Sequence, residues 1–194
     1  MLLLQIFVIL LYGVVFIFLL IYLIFQIWID ITNIFLKRKY SLPYVPTSRK
    51  RLKAIMNLAE IKPGDKVIDL GSGDGRLVIA AAKQGAEAEG FELNLSLVWF
   101  SQIKIFLFSF KDKTLKTQVK IFHKNLLDAD FNKYNVFLLY TMPWTMKEIK
   151  NRLNDLKYDK IKLISNTFEF EGWQPTRIDQ QNKIYLYEIK KNKD

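Results

Sequence analysis

Apolar and polar residues are distributed unevenly along the chain. No charged side chain occurs before Asp30, whereas charged residues recur throughout the remainder. A helix of about 29 uncharged residues is roughly 43 Å long, which exceeds the ~30 Å hydrocarbon core of a bilayer. The pattern predicts a transmembrane helix within an N-terminal segment at residues 1–36, with Tyr22 or Trp28 as an interface anchor. A cleaved signal peptide is disfavoured, because no basic residue precedes the run and no small-residue cleavage motif follows it.

The next segment, residues 37–60, is predicted to be a basic juxtamembrane linker followed by a short helix. Prolines at positions 43 and 46 favour extended backbone. Thr47 or Ser48 is predicted to cap a helix that continues to Ala59. The Lys62-Pro63-Gly64-Asp65 run is typical of a turn.

Residues 61–194 alternate between strand and helix patterns. Short apolar runs predict five strands at Lys66–Leu70, Ala88–Glu92, Val119–Phe122, Val136–Tyr140 and Ile161–Asn166. Helical patterns occupy three intervening stretches, at Arg76–Gln84, Ser96–Phe110 and Trp144–Leu156. The chain is expected to end in an antiparallel hairpin of Gln174–Ile178 and a partly exposed strand at Lys183–Ile189. This order predicts an α/β domain with a mostly parallel sheet and helices on both faces.

Composition excludes several kinds of chemistry. The chain of 194 residues is long enough for one domain with a sizeable core. It has no cysteine and one histidine, which excludes disulfide scaffolds, Cys/His zinc sites and thiol nucleophiles. His123 is expected to be an ordinary strand-end residue. No cluster of Asp and Glu has the pattern of a metal site, so no metal is expected.

The formal net charge of +10 comes largely from basic residues that follow the apolar segment. The relevant side chains are Lys37, Arg38, Lys39, Arg49, Lys50, Arg51 and Lys53. By the positive-inside rule, this cluster places the α/β domain on the cytoplasmic side of a membrane, or the equivalent inner side of an organelle membrane. The cluster can also bind anionic lipid headgroups, and this position makes nucleic acid the less favoured partner.

A glycine-rich loop carries the strongest chemical signal. The sequence Asp69-Leu70-Gly71-Ser72-Gly73-Asp74-Gly75-Arg76 joins the first predicted strand to the following helix. It lacks the Gly-Lys-Ser/Thr of a nucleoside-triphosphate loop, and Arg76 stands where a dinucleotide fingerprint needs its third glycine. Glu92 ends the second strand, where a carboxylate can accept hydrogen bonds from two ribose hydroxyls.

The spacing of this loop resembles the S-adenosylmethionine (AdoMet) loop of class I, seven-β-strand methyltransferases. The narrower resemblance adds four stretches: Tyr44-Val45-Pro46-Thr47, Gly90-Phe91-Glu92-Leu93-Asn94, Leu97-Val98-Trp99 and Met142-Pro143. Together they resemble the small lysine methyltransferase family that in mitochondria modifies the adenine nucleotide translocase and the c-subunit of ATP synthase, with its prokaryotic relatives. The resemblance implies a Rossmann-like seven-stranded sheet, with AdoMet as methyl donor and S-adenosylhomocysteine as product.

The resemblance also implies a set of site residues. Cofactor contacts are expected at Pro46, Thr47, Asp69, Gly71, Ser72, Gly73, Gly75, Glu92, Leu93, Asn94 and Asn125, the last against the adenine amino group. Tyr44 and Trp144 are candidate walls for a lysine stem, and Asp74 or Tyr140 is a candidate for proton handling. The chain departs from the family pattern at Thr167-Phe168-Glu169 and at Glu171-Gly172, which puts the choice of acceptor in question.

The activity that the resemblance implies is in-line methyl transfer to a deprotonated lysine amine of a membrane-associated protein. A membrane-lipid or quinone methyltransferase is one alternative, and a non-catalytic AdoMet-binding membrane module is another. The run Met142-Pro143-Trp144 lacks the polar residue that leads the corresponding motif of base-amine methyltransferases, which counts against nucleic acid.

The predicted helix Ser96–Phe110 is apolar on nearly every side and has one charge, Lys104. Two interpretations are open. The first is a helix that is fully buried or covered by the extension of the N-terminal helix near Ile34–Leu36, and the second is a helix whose outer face rests on the membrane. The second places Ile105 and Phe108 on that outer face.

Overall fold

The structure is a computed structural model that describes residues 2–35, 44–154, 156 and 160–190. The chain divides into two units, Met1–Lys37 and Arg38–Asp194. The predicted basic residues Lys37, Arg38 and Lys39 lie outside the described residues, as does the extended backbone predicted at 42 and 43.

The first unit contains one helix, α1, at Leu2–Phe35. Its stretch Gln5–Trp28 is long and apolar enough to cross a membrane, and none of it is buried. An N-terminal signal sequence can have the same length and composition, so the helix is confirmed while its insertion in a membrane stays a prediction.

The second unit contains seven strands, five α-helices and two short 3₁₀ helices among the described residues. The strands are β1 Lys66–Leu70, β2 Glu87–Glu92, β3 Val119–His123, β4 Val136–Leu139, β5 Lys160–Asn166, β6 Arg177–Asp179 and β7 Ile184–Lys190. The helices are α2 Arg49–Ala59, α3 Arg76–Ala82, α4 Leu95–Ser109, α5 Leu115–Gln118 and α6 Pro143–Asn154. Every predicted element is present with ends within three residues, and the short α5 is additional.

The strands form one sheet in the order β3-β2-β1-β4-β5-β7-β6. The pairs β1–β2, β2–β3, β1–β4 and β4–β5 are parallel, and β7 pairs antiparallel with both β5 and β6. The predicted seven-stranded, mostly parallel sheet with a C-terminal antiparallel hairpin is therefore confirmed.

Two apolar cores lie on opposite faces of the sheet because successive strand residues point to opposite sides. In β4, Val136 and Leu138 pack on the side of α2, α3, α4 and α5. Phe137 and Leu139 pack on the side of α6. This arrangement covers both faces, as a parallel sheet requires.

The last strand is more buried than its alternating sequence predicts. β7 lies between β5 and β6, so it is an interior strand, and Ile184, Leu186 and Tyr187 are almost fully buried. The expectation of a partly exposed final strand is wrong for its first half, because chain order does not reveal that β6 takes the sheet edge.

The predicted capping of α2 is confirmed at Ser48, whose hydroxyl accepts a hydrogen bond from the Arg51 N–H at 3.3 Å. Ile55, Met56 and Ala59 of this helix belong to the core of the second unit. α2 is thus part of the folded α/β domain.

Candidate functional site

The glycine loop links β1 to α3 through three left-handed backbone positions. Gly71, Gly73 and Gly75 have φ angles of 98°, 53° and 74°, which side chains other than hydrogen rarely tolerate. The N–H groups of Gly71 and Ser72 donate to the Phe91 carbonyl at 3.0 and 3.1 Å. The loop is therefore fastened to the end of the neighbouring strand β2.

Glu92 joins this loop to the start of α4. One carboxylate oxygen accepts the Gly73 N–H at 2.9 Å, and the other accepts the Asn94 N–H at 2.8 Å. Burial raises the pKa of Glu92 above its ordinary value, although these amides act in the opposite direction. Each carboxylate oxygen has a second lone pair, so Glu92 can still accept hydrogen bonds from a pair of vicinal hydroxyls.

Asp69 lies on the buried side of the same site and is only 2% exposed. Burial, reinforced by the nearby carboxylates of Glu92 and Asp74, raises the pKa of Asp69 to about 8. This carboxyl group is mostly protonated at neutral pH, and a nearby cation would favour its ionised form, whereas a pyrophosphate would oppose ionisation. The site therefore suits a ligand that carries positive charge next to a ribose.

Asp74 is the centre of an ion-pair network. The Arg76 guanidinium donates to both of its oxygens at 2.7 Å, and the Lys104 ammonium donates to one of them at 2.8 Å. Burial alone would raise the pKa of Asp74, but the hydrogen bonds from Arg76 and Lys104 outweigh burial and lower it. Lys104 also donates to the Asp74 backbone carbonyl at 3.0 Å, which ties α4 to the loop.

The segment before α2 closes over the loop. A Cβ atom placed on Gly73 would lie 2.8 Å from Cε2 of Tyr44, so the tyrosine ring rests directly on the glycine backbone. Arg76 donates to the Thr47 carbonyl, and Thr47 is buried. Tyr44 and Thr47 are thus brought to the site, whereas Pro46 between them is exposed.

The sheet register arranges further candidates in one row at the carboxyl edge. Leu70 pairs with Phe91 on one side and with Leu139 on the other, and Leu139 pairs with Ser165. The next residues along these strands are Gly71, Glu92, Tyr140 and Asn166, which therefore lie side by side. Trp144 follows in the first turn of α6 with 57% of its surface exposed.

Asn94 and Asn125, which are also predicted to contact the cofactor, already make hydrogen bonds within the protein. Asn94 caps α4, and its side-chain oxygen accepts the Ser96 N–H at 2.9 Å. The side-chain oxygen of Asn125 accepts the Leu127 N–H at 3.0 Å. His123 ends β3, as predicted, with Nε2 2.9 Å from the Leu93 carbonyl oxygen.

Several buried polar atoms near this edge lack a hydrogen-bond partner within the described part of the chain. They include Ser72 Oγ, Thr141 Oγ1 and Asn166 Nδ2. Buried polar groups normally have partners, so these atoms are available to a bound molecule. Gly90 makes room for Ser72, because a Cβ on Gly90 would lie 2.6 Å from the Ser72 hydroxyl.

Sequence reasoning missed Arg76 and Lys104 as parts of the site. Lys104 lies 30 residues after Asp74, and their contact depends on how α4 packs. The available signal was that Lys104 is the single charge in an otherwise apolar helix. Asn166 was also missed, since its place beside Tyr140 follows only from the pairing of β4 with β5.

Comparison with known proteins gives a consistent picture. A family described as the ANTKMT methyltransferase domain matches residues 69–177. The lysine N-methyltransferase of the ATP synthase c-subunit from Xenopus laevis is 33% identical over 154 residues, which cover 78% of this chain and 66% of that protein. This chain therefore spans just under two thirds of that relative. A protein-lysine N-methyltransferase of Saccharolobus islandicus is 27% identical over 159 residues, which cover 78% of this chain and 96% of the relative.

Among solved structures, an RNA methyltransferase from Salinibacter ruber in complex with S-adenosylhomocysteine has a TM-score of 0.68 and 28% identity. The alignment covers 76% of this chain and 95% of that one. The fold at the candidate site is therefore one that occurs with this adenosyl ligand.

Proposed function

Because the chain belongs to the ANTKMT methyltransferase domain family, we propose that it is an AdoMet-dependent protein-lysine N-methyltransferase. The observation that carries the proposal is the Glu92 carboxylate, which is held by the Gly73 and Asn94 amides beside a loop of three left-handed glycines. Two relatives named as lysine methyltransferases support the choice of acceptor.

The residues present fit AdoMet. Glu92 would bind the ribose hydroxyls, and the absence of a side chain on Gly73 lets the Tyr44 ring pack against the loop backbone beside it. The Ser72 hydroxyl, without a partner among the described residues, is available to the amino-acid end of the ligand. Buried Asp69, whose pKa is raised to about 8, would ionise beside a cationic ligand, because a nearby positive charge favours the carboxylate. We retain Gly71, Gly75, Leu93, Asn94, Asn125, Pro46 and Thr47 as proposed cofactor neighbours.

AdoMet supplies an electrophilic methyl group on sulfur, and the chain must orient an amine in line with it. Positioning provides much of the rate enhancement in such a displacement. A lysine of ordinary pKa must also lose a proton, which costs about 4 kcal/mol at pH 7.4. Tyr140 and Asn166 lie next to the glycine loop in the sheet row, and we propose that they contact the acceptor amine, with Tyr140 as the group for proton handling.

For Asp74 we propose bracing of the loop in place of proton transfer. Its two oxygens already accept hydrogen bonds from Arg76 and Lys104, and its pKa is lowered, so it is a weak base. Tyr44 rests on Gly73 and remains a proposed wall of the site. Trp144 remains a proposed outer wall, since it is exposed at the mouth of the same edge.

The proposed acceptor is a lysine of a membrane-associated protein. The apolar helix α1 supports membrane attachment, and the basic residues that follow it favour placement of the α/β domain on the cytoplasmic or equivalent inner side.

The direct test is incubation of the full-length protein with radiolabelled AdoMet and membranes of the host. We expect label in a protein band, and acid hydrolysis should release methyl-lysine. Glu92→Ala should abolish labelling, whereas Glu87→Ala, at the exposed start of the same strand, should leave it unchanged. Label found solely in extracted lipid, quinone or RNA would overturn the choice of acceptor. Failure of the wild type to bind or turn over AdoMet would overturn the proposal itself.

A further inference from the structure

Helix α4 has a continuous apolar stripe that faces away from its own domain. Trp99, Ile103, Phe106, Leu107 and the capping residue Phe110 are between 54% and 69% exposed. These positions are spaced three or four apart, so they lie along one side of the helix. We call this surface the α4 face.

Apolar exposure in the α/β domain is concentrated on this helix. The described residues of the domain include eleven exposed large apolar side chains, and eight of them belong to α4 or its cap. Scattered exposed apolar residues are normal, whereas a contiguous group of this kind marks a binding surface.

The opposite side of α4 accounts for the rest of its apolar sequence. Leu97 and Val98 are buried, and Ile105 packs against the core beneath the helix. The expectation that Ile105 faces outward is therefore wrong, because the helix is rotated so that this residue points to the sheet. Phe108 is 41% exposed, and the Lys83 ammonium lies 4.9 Å from its ring centre.

Charge and length indicate what covers the α4 face. No acidic residue occurs between Leu93 and Lys111, and cations flank the helix at Lys83, Lys111 and Lys113. The one acid between the last two, Asp112, accepts the Thr114 N–H at 3.1 Å. A helix of 15 residues is too short to span a bilayer, which needs about 20, yet an apolar face with basic neighbours suits the interface of an anionic membrane. Tryptophan is also typical of the membrane interface. A span-length apolar helix in the same chain supplies the independent reason to expect a membrane nearby.

We infer that the α4 face docks in the interfacial layer of an anionic lipid bilayer. The same helix contacts the candidate site on its other side, since Asn94 donates to Glu92 at 2.8 Å and Lys104 donates to Asp74 at 2.8 Å. A helix is about 10–12 Å across with its side chains, so docking would hold the glycine loop roughly one helix diameter from lipid. This last step rests on the proposed function: an enzyme held in this way would methylate lysines at the membrane–water interface of integral proteins.

The absence of cysteine allows a clean test of docking. Phe106→Cys and the matched Ile178→Cys, at an exposed apolar position of β6, each introduce a single thiol for a fluorescent label. The full-length variants would be reconstituted in vesicles of phosphatidylcholine and phosphatidylglycerol, with and without brominated chains. We expect brominated lipid to quench the label at position 106 at least threefold more than the label at 178.

Equal quenching at the two positions would overturn the inference. A label at 106 that is protected from both brominated lipid and aqueous iodide would also overturn it, because the face would then be covered by protein.

A second measurement separates this inference from the proposed function. Phe106→Glu should lower methylation of a membrane-embedded acceptor at least tenfold with an unchanged AdoMet dissociation constant, and Ile178→Glu should alter neither. Lipid contact at position 106 without methyl transfer by the wild type would leave docking in place and reject the enzyme activity. Methyl transfer without lipid contact would reject docking alone.

Discussion

Replacing Asp69 by Asn tests whether the base of the site holds a protonated carboxyl group. Burial, with help from Glu92 and Asp74, raises the pKa of Asp69 from its ordinary 3.8 to about 8. Because the folded pKa lies above the unfolded one, the folded chain binds the extra proton between these values. The contribution to stability is therefore fully present below pH 4 and is lost as the pH rises toward 8.

The size of the effect follows from linkage. One proton bound only by the folded state gives a slope of about 1.4 kcal/mol per pH unit. Between pH 5.5 and 7.5 the wild type should lose about 2.7 kcal/mol of unfolding free energy from this group. For a chain of this size, that loss corresponds to roughly 5–11 °C in the unfolding midpoint. Asn does not titrate, so Asp69→Asn lacks this loss.

The assay is thermal unfolding of the full-length protein in detergent without AdoMet, followed by near-ultraviolet circular dichroism at both pH values. The midpoint of Asp69→Asn minus that of the wild type should increase by several degrees from pH 5.5 to 7.5. Any constant cost of burying an amide cancels in this comparison. Asp128→Asn, at an exposed position, controls for the removal of one carboxyl group. A difference that is the same at both pH values would refute the protonated state of Asp69.

Three further outcomes are expected. A cationic ligand beside Asp69 favours the ionised form of this residue, so AdoMet binding should release a proton, and the affinity for AdoMet should increase from pH 6 to 8. Calorimetry in buffers of different ionisation enthalpy measures the proton release and the affinity. In Asp69→Asn the affinity should depend less on pH. Gly73→Val should weaken AdoMet binding more than tenfold, because the φ angle at this position is +53° and a Cβ would lie 2.8 Å from the Tyr44 ring. Gly64→Val is the control for backbone strain alone, since φ is +86° there and a Cβ would point into open space. Lys104→Met removes a charged hydrogen bond worth about 1.5–3 kcal/mol from the loop carboxylate, and should weaken AdoMet binding about tenfold with near-normal folding by far-ultraviolet circular dichroism.

The pattern of residues along the chain determined the local elements and the core of the candidate site. A run without charge up to Ile29 forms a helix, and short apolar runs between polar turns form the strands of the sheet. The meeting of the glycine loop with Glu92 was also predictable, because the carboxyl ends of neighbouring parallel strands lie at one edge. In these cases each signal is local, or follows from a general rule of sheet topology.

Tertiary structure alone decided which distant side chains complete the site. Lys104 reaches Asp74 across 30 residues, and Tyr140 lies beside Asn166 because β4 pairs with β5. Apolar residues surround nearly the whole of α4, so its sequence has no polar face to specify which side meets the sheet. Packing turned Ile105 inward and left Phe106 outward, and it placed β7 inside the sheet with β6 at the edge. Such choices depend on the summed contacts of the folded chain, which no single stretch of sequence contains.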